Sequence, residues 1–187
     1  MIPSRDPFTT WLDLGTGLLT PDAELAERRV ADMQGYYLDD DGTDPHRLVY
    51  RVYAIPAEEA NTELQCSTTI LEPGLVGGEF HMTKGHFHEQ RDRAEVYLGL
   101  YGDGVLLLAT EDGRHRAQPI RAGSVSYVPG GWAHRSVNVG SDPLIFFAVY
   151  VGDAGHDYGT IAERGFPVLV VRDDDGHRVV PNPRYRG

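Results

Sequence analysis

The sequence predicts an all-β fold, built either as a sandwich or as a barrel. Short apolar segments separated by turn residues follow one another from residue 47 onward, and several of them alternate apolar and polar side chains with period two. The 22 Gly and 12 Pro are scattered along the chain, which is typical of a fold with many tight turns. A length of 187 residues suits one domain, or one domain with an extension.

The segment before the predicted barrel is expected to contain one helix, between Thr20 and Gly35. A capping residue, a proline and an acid open this stretch, an order typical of a helix N-terminus. An apolar stripe at helical spacing follows, made by Ala23, Ala26, Val30 and Met33. We therefore expect residues 1–46 to form an extension whose helix packs on the outside of a β-barrel domain of residues 47–187.

The strand-like segments of the predicted barrel follow in a regular series. In chain order they read RLVYRVYAI, LQCSTTILEPG, EFHMTKGHFH, AEVYLGLYGDGVLLLAT, SVSYVPGG, AHRSVNVG and PLIFFAVYVG. The tail, FPVLVVRDDDGHRVVPNP, predicts one more hairpin with a turn of the Asp-Gly type. This succession of strands argues against a fold in which strands and helices alternate.

The net charge and the composition make some classes of binding partner unfavourable. The formal net charge of −11 disfavours nucleic acid, which requires basic surfaces. It also disfavours an anionic substrate at long range, so any phosphate must be captured by local groups. Positive charge comes almost wholly from arginine, since Lys84 is the one lysine in the chain.

The sequence also predicts a cytoplasmic location and no membrane partner. Its N-terminal segment, MIPSRDPFTTWLDLG, lacks the apolar core of a signal peptide. Nowhere does an uncharged apolar run approach the length of a transmembrane helix. The single Cys66 allows no intrachain disulfide, as is usual in a reducing compartment.

A cluster of potential metal ligands is the main chemical signal. His86 and His88 are two residues apart, so on a strand both imidazoles point to one face. If residues 89–94 turn the chain, Glu95 can face this pair from the next strand, and His134 follows a Pro-Gly-Gly turn. Three imidazoles and one carboxylate can bind Fe, Mn, Ni, Co or Zn. A lone histidine is more often a core or surface residue, so the prediction of a metal site rests on the combination of all four residues.

At these residues the chain resembles the cupins. Their second motif is G, five residues, PxG, two residues, H, three residues, N. It is matched here by Gly123, Pro129, Gly131, His134 and Asn138. The first motif matches less well, because six residues separate His88 from Glu95 instead of three or four, and Phe80 stands in place of the leading glycine.

The longer spacing is itself the pattern of the archaeal-type cupin phosphoglucose isomerases, GHFH, six residues, then ExY. The resemblance extends over nearly the whole chain, and its most specific segment is DAGHDYGTIAERGF. It implies a jelly-roll-like cupin barrel with a short N-terminal helical extension. It also implies an isomerase that interconverts glucose 6-phosphate and fructose 6-phosphate in glycolysis and gluconeogenesis. One departure is Gly130-Gly131 at the rim, where the family carries a proline and an aromatic residue.

The resemblance also implies roles for individual residues. The metal ligands would be His86, His88, Glu95 and His134. Contacts to phosphate or sugar hydroxyls would come from Thr69, Thr83 and Gly85, and the sugar would be lined by Tyr97, Tyr150, His156 and Tyr158. From the residues alone, Lys84 suits either a phosphate contact or a solvated turn, and Tyr150 suits a core position. The loop with His156 and Tyr158 suits either a functional site or an ordinary surface loop.

Two routes for the isomerisation stay open at this point. In an enediol route Glu95 moves a proton between C2 and C1, Tyr97 assists, and His156 opens the sugar ring. In the other route hydride shifts directly while a metal, expected to be iron, polarises the oxygens. Rival functions are an Fe(II) cupin dioxygenase with the same ligands and a non-catalytic sugar-binding cupin. Activity on mannose 6-phosphate is left open, and exposed strand edges favour a homodimer.

Overall fold

A computed structural model describes residues 6–21, 23–39 and 42–187 as an antiparallel β structure. The strands are β1 Trp11–Leu12, β2 Leu19–Thr20, β3 Glu24–Arg29, β4 Leu48–Ala54, β5 Leu64–Leu71, β6 Leu75–Val76, β7 Glu79–Phe80, β8 Glu95–Tyr101, β9 Asp103–Thr110, β10 His115–Arg121, β11 Val125–Val128, β12 Trp132–Asn138, β13 Leu144–Val151, β14 Val168–Asp173 and β15 Gly176–Pro181. A 3-10 turn covers Val30–Met33, and one α-helix, α1, covers Tyr158–Arg164.

The strands form one large sheet and a second layer of smaller sheets. The large sheet has six strands in the order β11-β8-β13-β5-β4-β3. Two smaller sheets, β10-β9-β12 and β15-β14-β7-β6, supply the rest of the barrel, apart from a short β1-β2 pair. Side chains from β8 and β12 meet in the interior, where Glu95 and His134 lie 3.0 Å apart. The predicted all-β, jelly-roll-like barrel is therefore confirmed.

The core lies between these layers and is closed by apolar side chains from nearly every strand. Strand β9 is buried over most of its length, with Leu106, Leu107 and Leu108 at most 4% exposed. Each fully buried side chain of this size stabilises the fold by about 1.5–3 kcal/mol. Among these apolar side chains lies the cluster of predicted metal ligands, in which His88, Glu95 and His134 are buried and His86 is partly buried.

The helix predicted between residues 20 and 35 is wrong, because the chain forms β3 and then a 3-10 turn. Strand β3 pairs with β4, and Arg28 lies opposite Tyr50. The order of apolar and polar residues in this stretch fits both the helical period and the strand period. Hydrogen bonds to the open edge of β4 favour the strand. Asp22, part of the predicted cap, lies outside the described residues. The division of the chain at residue 46 stays a prediction, although β3 completes the large sheet.

The C-terminal hairpin is confirmed, and a helix appears where the sequence suggested a loop. Strands β14 and β15 pair in antiparallel register from Val168 to Asp173, with the predicted acidic turn between them. Helix α1 begins after Asp157, whose side chain accepts a hydrogen bond from the Thr160 backbone N–H over 3.0 Å, and Gly165 ends it. Within the described ranges, α1 is far too short to cross a bilayer, and no other helix qualifies.

Candidate active site

Four side chains converge inside the barrel in the arrangement that the sequence predicted. The ligand atoms of His86, His88, Glu95 and His134 all lie within 4.8 Å of one another. His134 Nε2 lies 3.1 Å from His86 Nε2 and 3.0 Å from Glu95 Oε2, and His88 Nε2 lies 3.1 Å from the same oxygen. Separations of about 3 Å are those expected of neighbouring ligands that each lie about 2.1 Å from one shared ion.

Backbone pairing positions the first and last of these ligands. His86 and His134 face each other in an antiparallel bridge, since each backbone N–H donates to the other residue's carbonyl at 3.1–3.2 Å. The stretch before His86 is irregular, and Gly85 turns through a left-handed conformation with φ of 72°. Because they are two residues apart, His86 and His88 still point into the same barrel interior, as the sequence predicted for a regular strand.

The six residues between His88 and Glu95 have a structural role. His88 Nδ1 donates to the Arg93 carbonyl over 2.9 Å, which leaves Nε2 directed at Glu95. Arg93 is itself held by two hydrogen bonds to Asp153, at 2.7 and 2.8 Å. The long spacing therefore supplies the carbonyl that orients one of the predicted ligands.

The Gly130-Gly131 turn packs closely against this loop. A Cβ atom on Gly130 would come within 2.7–2.8 Å of backbone atoms of Arg91 and Asp92. The Gly131 backbone N–H donates to the Arg91 carbonyl over 2.5 Å. Glycine is needed for this approach, so the departure from the family pattern permits tight contact at the rim.

The protonation states in the cluster suit a metal ion. Burial is the main cause that holds the pKa of His86 well below its usual value, so its imidazole is neutral. Burial by itself would raise the pKa of Glu95, but the neighbouring His134 and hydrogen bonds from His134 and His88 outweigh it and lower that pKa. Burial by itself would lower the pKa of His88, but its hydrogen bonds with Glu95 and the Arg93 backbone raise it. Imidazole nitrogens together with an ionised carboxylate are a donor set that divalent transition metals accept. The residues therefore fit a metal.

The cluster opens onto a cavity of about 220 Å³. Its wall is the inner face of the six-stranded sheet, because pairing of the strands brings alternate residues to the same side. Glu95 lies opposite Tyr150, and Tyr97 lies opposite Ala148 on β13. The predicted substrate contacts all line this one cavity, namely Thr69, Thr83, Gly85, Tyr97, Tyr150, His156 and Tyr158.

Thr83 and Gly85 are fixed by the neighbouring strand β12. The Thr83 hydroxyl accepts a hydrogen bond from the Ser136 backbone N–H over 3.1 Å, so its own hydrogen can be donated to a ligand. A Cβ atom on Gly85 would lie 3.0 Å from the Arg135 side chain and 3.1 Å from the His134 carbonyl. Close packing and a positive φ therefore both favour glycine at this position.

His156 and Tyr158 lie beside the cluster. The ring of His156 lies 4.5 Å from that of His86, centroid to centroid, and stacks on the ring of Tyr158 at 5.7 Å. Burial is the main cause that lowers the pKa of His156, so this imidazole is neutral at neutral pH. The pKa of Tyr97 is raised by burial and then by the charge of Glu95. Each predicted sugar-lining residue thus faces the same interior.

Sequence reasoning missed several residues of the cavity wall, among them Arg28 and Tyr50. Arg28 lies on β3, which was expected to be a helix on the outside of the barrel. Lys84 also lines the cavity, and its pKa is lowered by burial and by the charge of Arg28. The alternation of Ala26 and Arg28, which both line the cavity, is the signal that could have identified the strand.

The fold and the site define a β-barrel protein with a three-histidine, one-carboxylate centre beneath a polar cavity. The family model described as glucose-6-phosphate isomerase (GPI) matches residues 27–184. The chain therefore belongs to the glucose-6-phosphate isomerase family. The resemblance seen in the sequence is confirmed, and so is the prediction of an isomerase.

Relatives from archaea and bacteria agree. Glucose-6-phosphate isomerase from Pyrococcus abyssi is 49% identical, covering 97% of this chain and 98% of that protein. The enzyme of the same name from Thermococcus kodakarensis is 48% identical with the same coverage, and that from Sinorhizobium medicae is 36% identical over 97% of this chain and 88% of its own. Among solved structures, Bacillus subtilis oxalate decarboxylase is 25% identical, with a TM-score of 0.45, over 58% of this chain and 27% of that one.

Proposed function

We propose that the protein interconverts glucose 6-phosphate and fructose 6-phosphate and depends on a divalent metal held by His86, His88, Glu95 and His134. The observation that carries the proposal is the convergence of these four side chains beneath one cavity that also holds cationic and hydroxyl groups. The proposed substrate is an open-chain sugar with one charged end. A cavity with a metal-ligand cluster at one point and cations at another suits such a molecule.

The phosphate end is proposed to bind near Thr69, Thr83 and Gly85, with Arg28 and Lys84 as its countercharges. Arg28 and Lys84 line the cavity together, and each cation destabilises the other in the absence of an anion. A phosphate dianion between them would relieve this repulsion and accept the Thr83 hydroxyl hydrogen bond. The net charge of −11 makes such local capture necessary, because the overall field of the protein repels the substrate.

Iron is the metal we propose, with Mn, Ni, Co and Zn as alternatives that the same ligands accept. A divalent metal at this point would act as a Lewis acid toward oxygens of the substrate. Orientation of the ligands is the protein's contribution. The Arg93 carbonyl orients His88, and the bridge between His86 and His134 fixes the other two rings.

Glu95 is the proposed base for the hydrogen transfer between C2 and C1. In the enediol route its carboxylate removes the proton from C2 and returns it to C1, so the step is balanced within one side chain. The lowered pKa keeps Glu95 in the ionised form that a base must have, and the same shift makes it a weaker base. Tyr97 is kept protonated by burial and donates a hydrogen bond to Glu95, so its hydroxyl can orient this carboxylate and relay its proton. A direct hydride shift would leave Glu95 as a ligand alone.

His156 is the proposed group for ring opening. This step takes a proton from the O1 hydroxyl and delivers one to the ring oxygen, which a neutral imidazole can mediate. His156 lies between Tyr158, which stacks on it, and Tyr150, whose ring lies 5.8 Å away. The two tyrosines can therefore hold the sugar beside the imidazole.

We also propose a cytoplasmic enzyme of glycolysis and gluconeogenesis that forms a homodimer. Strand β11 is an edge of the large sheet, and Val125 and Tyr127 on it are 70% and 63% exposed. Leu98 on the neighbouring strand adds to this apolar edge. Pairing with a second copy would cover a strand edge that otherwise invites aggregation.

The decisive experiment is a coupled assay of fructose 6-phosphate conversion after chelation. The metal-free protein should be inactive, and single divalent metals added back should restore turnover to different extents. Oxygen uptake should be absent throughout. Full activity without metal would contradict the metal dependence, and oxygen consumption without isomerisation would favour the dioxygenase. Saturable sugar-phosphate binding with no turnover after reconstitution would favour a binding protein.

A further inference from the structure

A second cavity, of about 480 Å³, lies between the segment after the 3-10 turn, helix α1 and the C-terminal tail. Its lining includes Tyr37, Arg135, Glu163, Phe166, Arg184 and Arg186. None of these residues lines the candidate active site. The volume is within the range of small-molecule sites.

The lining is cationic, although the protein as a whole is strongly acidic. Arg135, Arg184 and Arg186 face one lining carboxylate, that of Glu163. None of the three guanidinium groups forms an ion pair with a carboxylate in the described part of the chain. In a protein with a net charge of −11, three unpaired arginines around one cavity mark a local anion-attracting field.

Arg135 supplies the buried part of this field. It is 2% exposed, and its Nε and Nη2 donate to the Lys84 carbonyl over 3.2 and 2.6 Å. Its guanidinium carbon lies 4.9 Å from the ring centre of Phe166. The charge of Glu79 acts on Arg135, but the Glu79 carboxylate accepts a hydrogen bond from the Leu38 N–H and forms no ion pair with Arg135. A buried cation without a direct ion partner is costly, and an anion in the cavity would offset that cost.

The other two arginines differ in how they are held. Arg184 donates to the carbonyls of Tyr37 and Leu38, which fastens the tail to the N-terminal segment. Arg186 is exposed, and its backbone N–H donates to the Arg164 carbonyl over 2.9 Å. This hydrogen bond holds the backbone of Arg186 at the rim of the cavity.

We propose that this second cavity binds a small multivalent oxyanion, of phosphate or carboxylate type, through Arg186 and Arg135. The planar guanidinium fork matches two oxygens of either group. Three arginines and one glutamate suit a ligand with two or three negative charges. The site is separate from the proposed isomerase chemistry, because it shares no lining residue with that cavity.

The test is calorimetric titration of the protein with inorganic pyrophosphate, repeated with citrate as the carboxylate probe. Arg186→Ala removes the exposed cation without disturbing the core. Arg116→Ala is its matched control, since Arg116 is also exposed but lies on β10. Arg28→Ala weakens any binding in the candidate active site, and Arg28 does not line the second cavity. We expect Arg186→Ala to weaken one binding event about tenfold or more, as loss of a charge-assisted contact does, and Arg116→Ala to leave it unchanged.

The outcomes separate the two cavities. Binding that survives Arg28→Ala and is weakened by Arg186→Ala supports the second site, and a preference for pyrophosphate or citrate identifies the source of its oxyanion. No binding to the wild-type protein, equal binding by the Arg186→Ala and wild-type proteins, or complete loss in Arg28→Ala would overturn the proposal. None of these readouts requires turnover, so failure here leaves the proposed isomerase activity unaffected.

Discussion

Arg91 and Asp157 are joined by an ion pair in which Arg91 Nη2 lies 2.5 Å from Asp157 Oδ2. Asp157 also caps α1 by accepting hydrogen bonds from the Thr160 backbone and hydroxyl. The pair therefore ties the start of the helix to the loop that follows His88. This carboxylate and the backbone bridge between Phe87 and Asp157 together hold His156 and the helix beside the predicted metal ligands.

Asp157→Asn should loosen that connection while keeping a capping side chain. Loss of the ion pair should cost about 0.5–1 kcal/mol of unfolding free energy and should raise KM several-fold, because His156 and Tyr158 lose their fixed position. Denaturant unfolding and steady-state kinetics measure the two effects. Asp173→Asn, which breaks an exposed pair with Arg178 on the C-terminal hairpin, is the control and should leave KM unchanged.

The same carboxylate should contribute to acid sensitivity. Burial raises the pKa of Asp157, but its hydrogen bonds with Thr160 and Arg91 outweigh this effect and lower that pKa to about 2. The folded pKa is below the unfolded value, so the contribution to stability is present above about pH 4 and is lost as pH falls toward 2. Asp157→Asn should flatten this part of the stability curve. An unchanged pH dependence would contradict the assignment.

His88→Ala should remove most of the bound metal and the activity with it. The substitution deletes one of four converging ligand atoms from a buried site that depends on all of them. Elemental analysis of purified protein measures the effect, and His115→Ala is the matched control because His115 is exposed on β10. Full metal occupancy in His88→Ala would reject the proposed ligand set. Affinity should also weaken at low pH, since the ligand is the neutral imidazole.

Glu95→Gln separates the two routes of hydrogen transfer. The amide keeps the size of the side chain and one oxygen but cannot accept the C2 proton. If Glu95 is the base, turnover should fall by about 10²–10⁴-fold while part of the metal is retained. Turnover near that of the wild type in a metal-loaded variant would favour the hydride shift, with Glu95 as a ligand only.

The convergence of His86, His88, Glu95 and His134 was predictable because the signal in the sequence is local. Spacing and strand parity bring His86 and His88 to one face, and the second motif fixes His134 within a few residues of a turn. Arg28 was not predictable in this way. Its segment fits helix and strand equally, and only pairing with β4, more than twenty positions away, decides between them. The second cavity joins Tyr37 to Arg184, and no short-range pattern indicates such a contact.

Arg28→Ala should weaken phosphorylated ligands more than unphosphorylated ones. Arg28 lines the candidate active site, whereas its neighbour Arg29 points away and pairs with Glu27 over 2.8 Å. Arg29→Ala is therefore a control with the same loss of charge at the next position. We expect at least a tenfold loss of affinity for a phosphorylated inhibitor in Arg28→Ala and little change in Arg29→Ala. Equal losses of affinity in Arg28→Ala and Arg29→Ala would indicate that long-range electrostatic attraction, and not a direct contact from Arg28, binds the phosphate.

Thr83→Ala should weaken the same inhibitor by about 1–3 kcal/mol, the range for a hydrogen bond to a charged group. The Ser136 N–H would lose its acceptor as well, so a small loss of stability is also expected. Metal content should not change, because Thr83 is not a ligand. Binding of the inhibitor with and without its phosphate group measures the effect. If both forms weaken equally in Thr83→Ala, the phosphate is bound elsewhere.

Lys84 has a practical consequence for chemical labelling. Because the chain contains one lysine and that residue lines the candidate active site, acylating reagents have a single side-chain amine to modify. A fluorophore or fluorine probe attached there would need no engineered cysteine and would report from inside the cavity. Protection of this amine by a bound sugar phosphate would give a direct footprint of occupancy, read by mass spectrometry on the intact protein.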